Sequence, residues 1–114
     1  MDTERHLPLN PRVLALLVAL IEGPTHGYAL KTAVEEGSDH TVTMDPGSLY
    51  RHLSRLEEDG LVAEVPTPRD EAPGDPRRRF YGLTPLGRAV LAAETRRLRS
   101  LLPGAKRLRG LESG

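Results

Sequence analysis

The chain has 114 residues, 16 Lys/Arg against 16 Asp/Glu, and no cysteine, which bounds it to one small domain without disulfides or thiolate metal sites. Its longest apolar run, residues 13–21, falls short of the about 20 apolar residues a membrane span takes, and no secretory leader pattern opens it, so a soluble cytoplasmic protein with no membrane partner is expected. The zero net charge hides an asymmetry: residues 1–75 hold 6 basic against 14 acidic residues, and residues 76–114 hold 10 against 2.

That division fits either an anionic partner for the basic part or an acid–base contact within the fold or a dimer. Fourteen of the 16 basic residues are Arg. Arginine suits bidentate contacts to phosphate or guanine, although an Arg-rich composition alone gives the same count. A chain this short supports a thin core, so a partner subunit is expected.

Residues 1–10 read as an N-terminal arm. Asn10 before Pro11, Asp45 before Pro46 and Thr84 before Pro85 each place a capping oxygen ahead of a proline. Proline at the first helical position loses no hydrogen bond and has its φ preset. Thr25, after Pro24, is the expected cap of one further helix. The first helix, residues 11–22, is apolar nearly all round (Val13, Leu14, Leu16, Leu17, Leu20, Ile21), which predicts burial on more than one side. The second, residues 26–36, stops at Gly37. Residues 40–44 alternate weakly, the pattern of a short strand.

The third helix, residues 46–59, sets Leu49, Leu53 and Leu56 on one stripe and Gly47, Arg51, Ser54, Arg55 and Glu58 opposite. Gly60 ends it, and residues 61–65 alternate as a strand. Residues 66–76 carry four prolines and Gly74, which predicts a long mobile loop. Residues 79–83 form the return strand, with Phe80 or Tyr81 on the core face. A last helix, residues 85–102, carries Leu91, Leu98 and Leu101 on a weak heptad-like seam interrupted by Glu94. Pro103 and Gly104 break it, leaving residues 103–114 as a basic flexible tail.

The expected fold is therefore α+β and mostly α. Residues 11–84 make a winged helix-turn-helix DNA-binding domain, and residues 85–102 make a dimerisation helix. The N-terminal end of the third helix, with free backbone N–H groups and a partial positive charge, suits phosphate. Gly47 and Ser48 are small enough to admit DNA there. Arg51 and Arg55, one turn apart, would face the major groove, where each good guanine contact discriminates by roughly 1–3 kcal/mol. Glu57, Glu58 and Asp59 would repel DNA, so the N-terminal half docks. Tyr50 flanks this face, either reaching a phosphate or packing in part. Arg77, Arg78 and Arg79 stand where the wing returns, either touching phosphate or minor groove or guarding an edge strand. His26 and Tyr28, at the start of the second helix, are secondary candidates for backbone contact.

Three blocks, residues 25–30 (THGYAL), 47–62 (GSLYRHLSRLEEDGLV) and 77–91 (RRRFYGLTPLGRAVL), resemble the PadR family of transcriptional regulators. The likeness spans residues 12–102 or so and is closest to the compact subgroup, which lacks a long helical C-terminal domain. It implies a winged-helix homodimer that represses promoters at inverted repeats. It also implies that Ser48, Tyr50 and the wing arginines meet the DNA backbone. Packing of the last helix on the partner's first helix would place Leu14, Leu17, Leu91, Leu98 and Leu101 at the dimer interface. Two departures stand out. Arg51 replaces a proline common after the tyrosine. The chain has no tryptophan and no aromatic residue after Tyr81, so the drug pocket of some compact members is not carried over. A small-molecule effector therefore has no identity readable here.

His6, His26, His40 and His52 lack metal-ligand spacing, and neither a nucleophile–base pair nor a glycine-rich phosphate loop is visible. No metal, cofactor or enzymatic activity is expected. The rival reading is a winged helix used as a protein-interaction module, its acidic first half binding a basic partner.

Overall fold

The computed structural model describes residues 2–68 and 79–113. A 3-10 turn, Glu4–His6, precedes α1 (Pro11–Ala19), β1 (Thr25–His26), α2 (Gly27–Gly37), α3 (Pro46–Glu58), β2 (Val62–Val65), β3 (Phe80–Leu83), α4 (Pro85–Leu101) and α5 (Ala105–Ser113). The three strands form one antiparallel sheet in the order β1-β3-β2. This is a winged helix-turn-helix with an added C-terminal helix pair.

Three helix starts form as their sequences dictate. Asn10 Oδ1 accepts from the Val13 N–H at 2.9 Å, Asp45 Oδ1 from Ser48 at 2.7 Å, and Thr84 Oγ1 from Gly87 at 2.9 Å. The fourth differs. Thr25 is not the cap of α2; His26 is, its Nδ1 accepting from the Ala29 N–H at 3.4 Å. Thr25 and His26 are extended because they pair with Tyr81 and Phe80 of β3. That non-local pairing moves the helix start by one residue.

Helix α1 ends at Ala19, earlier than its apolar run suggests. The N–H groups of Leu20, Ile21 and Gly23 bond three residues back, tightening the chain, and Gly23 turns it with φ 149°. Helix α2 runs through Gly37, and the left-handed residues after it are Asp39 (φ 53°) and His40 (φ 61°). The left-handed turn runs into His40, and residues 40–44 do not form the short strand expected there. A turn forms instead, the Val42 N–H donating to Ser38 Oγ at 3.0 Å, and β1 supplies the third strand.

The core gathers Leu16, Leu17 and Leu20 with Leu30 and Val34 of α2, the three inward leucines of α3, and Leu61, Val62, Tyr81 and Val90. Helix α1 is thus buried on one side within the chain, while Val18 and Ile21 remain 48% exposed. Phe80 and Tyr81 are both buried, on opposite faces of β3. Phe80 meets the His26 ring edge-on at 5.3 Å, and Tyr81 joins the main core.

Glu94, which interrupts the leucine seam of α4, is 1% exposed. Its carboxylate accepts the Leu9 N–H at 2.7 Å and Arg97 Nε at 2.5 Å. The N-terminal arm is thereby fastened to α4. The Arg97 guanidinium holds the Glu94 carboxyl below its ordinary range, with the Leu9 N–H helping, against the opposing effect of burial. The tail expected to be flexible contains α5, whose Leu111 is exposed.

Candidate nucleic-acid interface

Leucines at 49, 53 and 56 turn one side of α3 into the core, so the other side must face outward. On it, Gly47, Tyr50, Arg51, Ser54, Arg55 and Glu58 line one shallow concavity. Arg51 is exposed, and its Nη1 lies 3.5 Å from where a Cβ on Gly47 would stand. Arg55 Nε sits 3.5 Å from Asp59 Oδ2. Such an exposed pair is worth about 0–1 kcal/mol, so Arg55 is free to turn to another acceptor.

The helix terminus corrects one expectation. The Ser48 N–H is not free, because the Asp45 carboxylate takes it at 2.7 Å. Asp45 also sets a negative charge where a phosphate was expected to profit from the helix dipole. The pull of this helix end on an anion is weaker than the sequence suggests.

Of the two roles considered for Tyr50, the structure shows the partial packing. It is 47% exposed, yet its hydroxyl lies over Gly27, where any Cβ would overlap it. Gly27 thus lets the aromatic ring bridge α2 and α3. Sequence reasoning missed Gly27; its signal was a glycine directly after a capping residue, where a side chain would have cost nothing locally. Of the two secondary candidates, His26 is occupied as cap and as packing partner of Phe80, and Tyr28 is 78% exposed on the first turn of α2.

On the wing, Arg79 is exposed with its Nε 3.9 Å from Glu64 Oε1 across the hairpin. Burial pushes the Tyr81 hydroxyl above its ordinary range, opposed by a hydrogen bond with Arg79. Arg77, Arg78 and most of the expected 66–76 loop lie outside the described residues.

The five leucines assigned to a dimer interface divide. Leu17 and Leu91 are enclosed in the chain's own core, where a partner has no access. Leu14 is half-buried, Leu98 half-buried and Leu101 66% exposed. Leu14 joins Val18, Ile21, Ala33 and Val42 along an apolar groove of about 590 Å³ between α1 and α2. Val18 and Ile21 were not assigned to it from the sequence, although the all-round apolar character of α1 was their signal. Among the described residues, no three His, Cys, Asp or Glu side chains come together as a metal-ligand group. No helix there is long and apolar enough to cross a membrane.

The family model of the transcriptional regulator PadR-like family matches residues 16–93. An uncharacterized 37.1 kDa protein in transposon TN4556 of Streptomyces fradiae is 42% identical over 85 residues, which cover 75% of this chain and 22% of that protein. The chain thus spans about a fifth of that relative. The transcriptional regulator Rv3488 of Mycobacterium tuberculosis is 37% identical over 89 residues, covering 77% of this chain and 76% of that protein. The solved structure of Bacillus subtilis PadR in complex with operator DNA has the same fold, with TM-score 0.62 and 22% identity over 75% of this chain and 46% of that one.

Proposed function

This chain belongs to the PadR-like family of transcriptional regulators, and from that premise we propose that it is a homodimeric, non-enzymatic, cytoplasmic repressor binding a pseudo-palindromic site in double-stranded DNA. The observation that carries the reading is the outward face of α3, where Gly47, Tyr50, Arg51, Ser54 and Arg55 share one concavity opposite the buried leucines. A helix of this kind fits the major groove, and its arginines can read guanine. Ser48 and Tyr50, with Arg77, Arg78 and Arg79 of the wing, hold the flanking phosphates, helped by His26 and Tyr28. In the dimer, Leu98 and Leu101 of α4 pack on the partner's α1 and the turn after it, where Leu14, Val18 and Ile21 line an apolar groove. The two α3 helices then lie one helical turn of DNA apart, or a multiple of it. The solved complex of Bacillus subtilis PadR with operator DNA supports this reading, as does the relative named as a transcriptional regulator.

An electrophoretic shift with the protein's own upstream region and a random duplex tests it. A shift on the upstream region, persisting against excess random competitor, is expected. The absence of any shift at low salt would favour the protein-interaction module instead.

A further inference from the structure

Two of the histidines that lack metal spacing in the sequence come together in the fold with two arginines. Arg5 and His6 of the arm line one cleft of about 430 Å³ together with His52 and Arg55 of α3, and Leu56 and Leu61 complete its apolar lining. The arm is a fixed wall of this cleft, because the Leu9 N–H is bonded to buried Glu94 at 2.7 Å. Asp59 is the acidic residue of the lining, and it is loosely paired with Arg55 at 3.5 Å. Among the described residues, the side chains of Arg5, His6 and His52 have no hydrogen-bond or ion-pair partner. The cleft's histidines and Asp59 do not form a metal-ligand group.

We propose that this cleft binds a small oxyanion, a phosphate or carboxylate head held between the arm and α3. Guanidinium forks and imidazole N–H groups supply charge-assisted hydrogen bonds to such a head. A cation would meet like charges, and a neutral molecule would leave the donors unused. Arg55 lines both this cleft and the outward concavity of α3. An oxyanion in the cleft competes for that guanidinium and draws it from the outer face, so occupancy weakens DNA binding. This coupling rests on the proposed DNA-binding role of α3; the oxyanion site itself does not.

The test titrates the full chain, without DNA, with potassium phosphate and with potassium chloride at equal ionic strength, following the His6 and His52 ring resonances by NMR. Phosphate alone should give a saturable shift, weakened about tenfold in Arg5→Ala by loss of one charge-assisted contact and unchanged in Arg12→Ala. Acetate in place of phosphate then tells a carboxylate head from a phosphate. Equal responses to phosphate and chloride, or undiminished affinity in Arg5→Ala, overturn the site. A response to duplex DNA with none to phosphate overturns it too, since the cleft then belongs to the DNA footprint. For the coupling, duplex binding is measured by anisotropy at fixed ionic strength with either anion. Phosphate should weaken it severalfold more than chloride, and less so in Arg5→Ala. DNA binding indifferent to the anion overturns the coupling. A chain that fails to bind DNA in low chloride overturns the DNA reading and the coupling with it, while the phosphate titration still stands.

Discussion

Gly27 and Gly87 both make room by lacking a side chain, but for different neighbours. A Cβ at Gly87 would overlap the Leu61 carbonyl oxygen, a backbone atom already accepting from the Thr84 N–H. Backbone cannot yield cheaply, so Gly87→Ala should cost about 2–3 kcal/mol in urea unfolding. A Cβ at Gly27 would overlap the end of the Tyr50 side chain, which can swing away. Gly27→Ala should therefore cost less than about 1 kcal/mol, yet lower DNA affinity severalfold by displacing Tyr50; equal stability losses at the two sites would contradict this contrast. Arg51→Ala and Arg55→Ala should each weaken operator binding by about tenfold or more, and random-duplex binding less, as expected for groups reading bases. Equal losses on both duplexes would reduce them to phosphate contacts. Glu94 sets a pH dependence. Its carboxyl is held below the ordinary 4.5 by Arg97 first and the Leu9 N–H second. A folded-state value lowered in this way contributes stability in full above the unfolded value and loses it as pH falls through the folded one. Glu94→Gln should be less stable than wild type at pH 7, and the two should converge on acidification below about pH 4.5; parallel stabilities from pH 7 to pH 3 would refute this.

Helix boundaries were legible where the cap is a local device. Asn10, Asp45 and Thr84 need only the next three residues to form their bonds. The start of α2 was misread because β1 is extended by pairing with β3, more than 50 residues away in sequence. The caps are not equivalent, however. Asp45 makes one capping bond, whereas Thr84 Oγ1 also donates to the Gly60 carbonyl at 2.5 Å, tying α4 to the turn after α3. Gly60 adopts φ 77° there, a conformation in which the residue's missing Cβ matters. Asp45→Ala should cost about 1 kcal/mol, and Thr84→Ala about 1 kcal/mol more through the second bond. Thermal or urea denaturation ranks the two, and a reversed order would mean that the Gly60 bond contributes nothing. Asp45→Ala should at the same time hold or raise non-specific DNA affinity, since it removes a carboxylate from the end of α3 proposed to dock.

At the scale of the whole molecule, the dominant unspent feature is apolar surface. Val18 on α1, Ile21 in the turn after it, and Leu101 and Leu102 at the end of α4 are each about half exposed or more, an arrangement that water disfavours and the proposed second subunit would relieve. Ile21→Asp should leave the fold intact, because Ile21 is outside the core cluster, and should shift sedimentation from dimer to monomer. Operator affinity would fall with it, as each half-site would then bind alone. A dimer undisturbed by Ile21→Asp would move the interface elsewhere. The charge division adds a second global property. A site read largely through arginines should lose affinity steeply between 50 and 200 mM salt, by on the order of ten- to a hundredfold even for a few phosphate contacts. A flat salt response would rule out phosphate as the main source of binding energy.

The sequence by itself determined what depends on neighbours along the chain: three capped helix starts, the leucine stripe of α3, the hairpin strands and the helix-turn-helix order. Hydrophobic periodicity and proline position act within a few residues, so they leave a direct trace. Only the tertiary structure decided which leucines remain available. Leu17 and Leu91 turned inward, while Val18 and Ile21 stayed outside, because the facing elements set how much of an all-apolar helix is covered. It also turned Glu94 from a gap in a seam into the anchor of the arm, over a separation of 85 residues. Asp45, read as a cap alone, proved to occupy the N–H that phosphate was expected to use. Such outcomes depend on which distant groups meet, and a linear pattern of residue types does not encode distance.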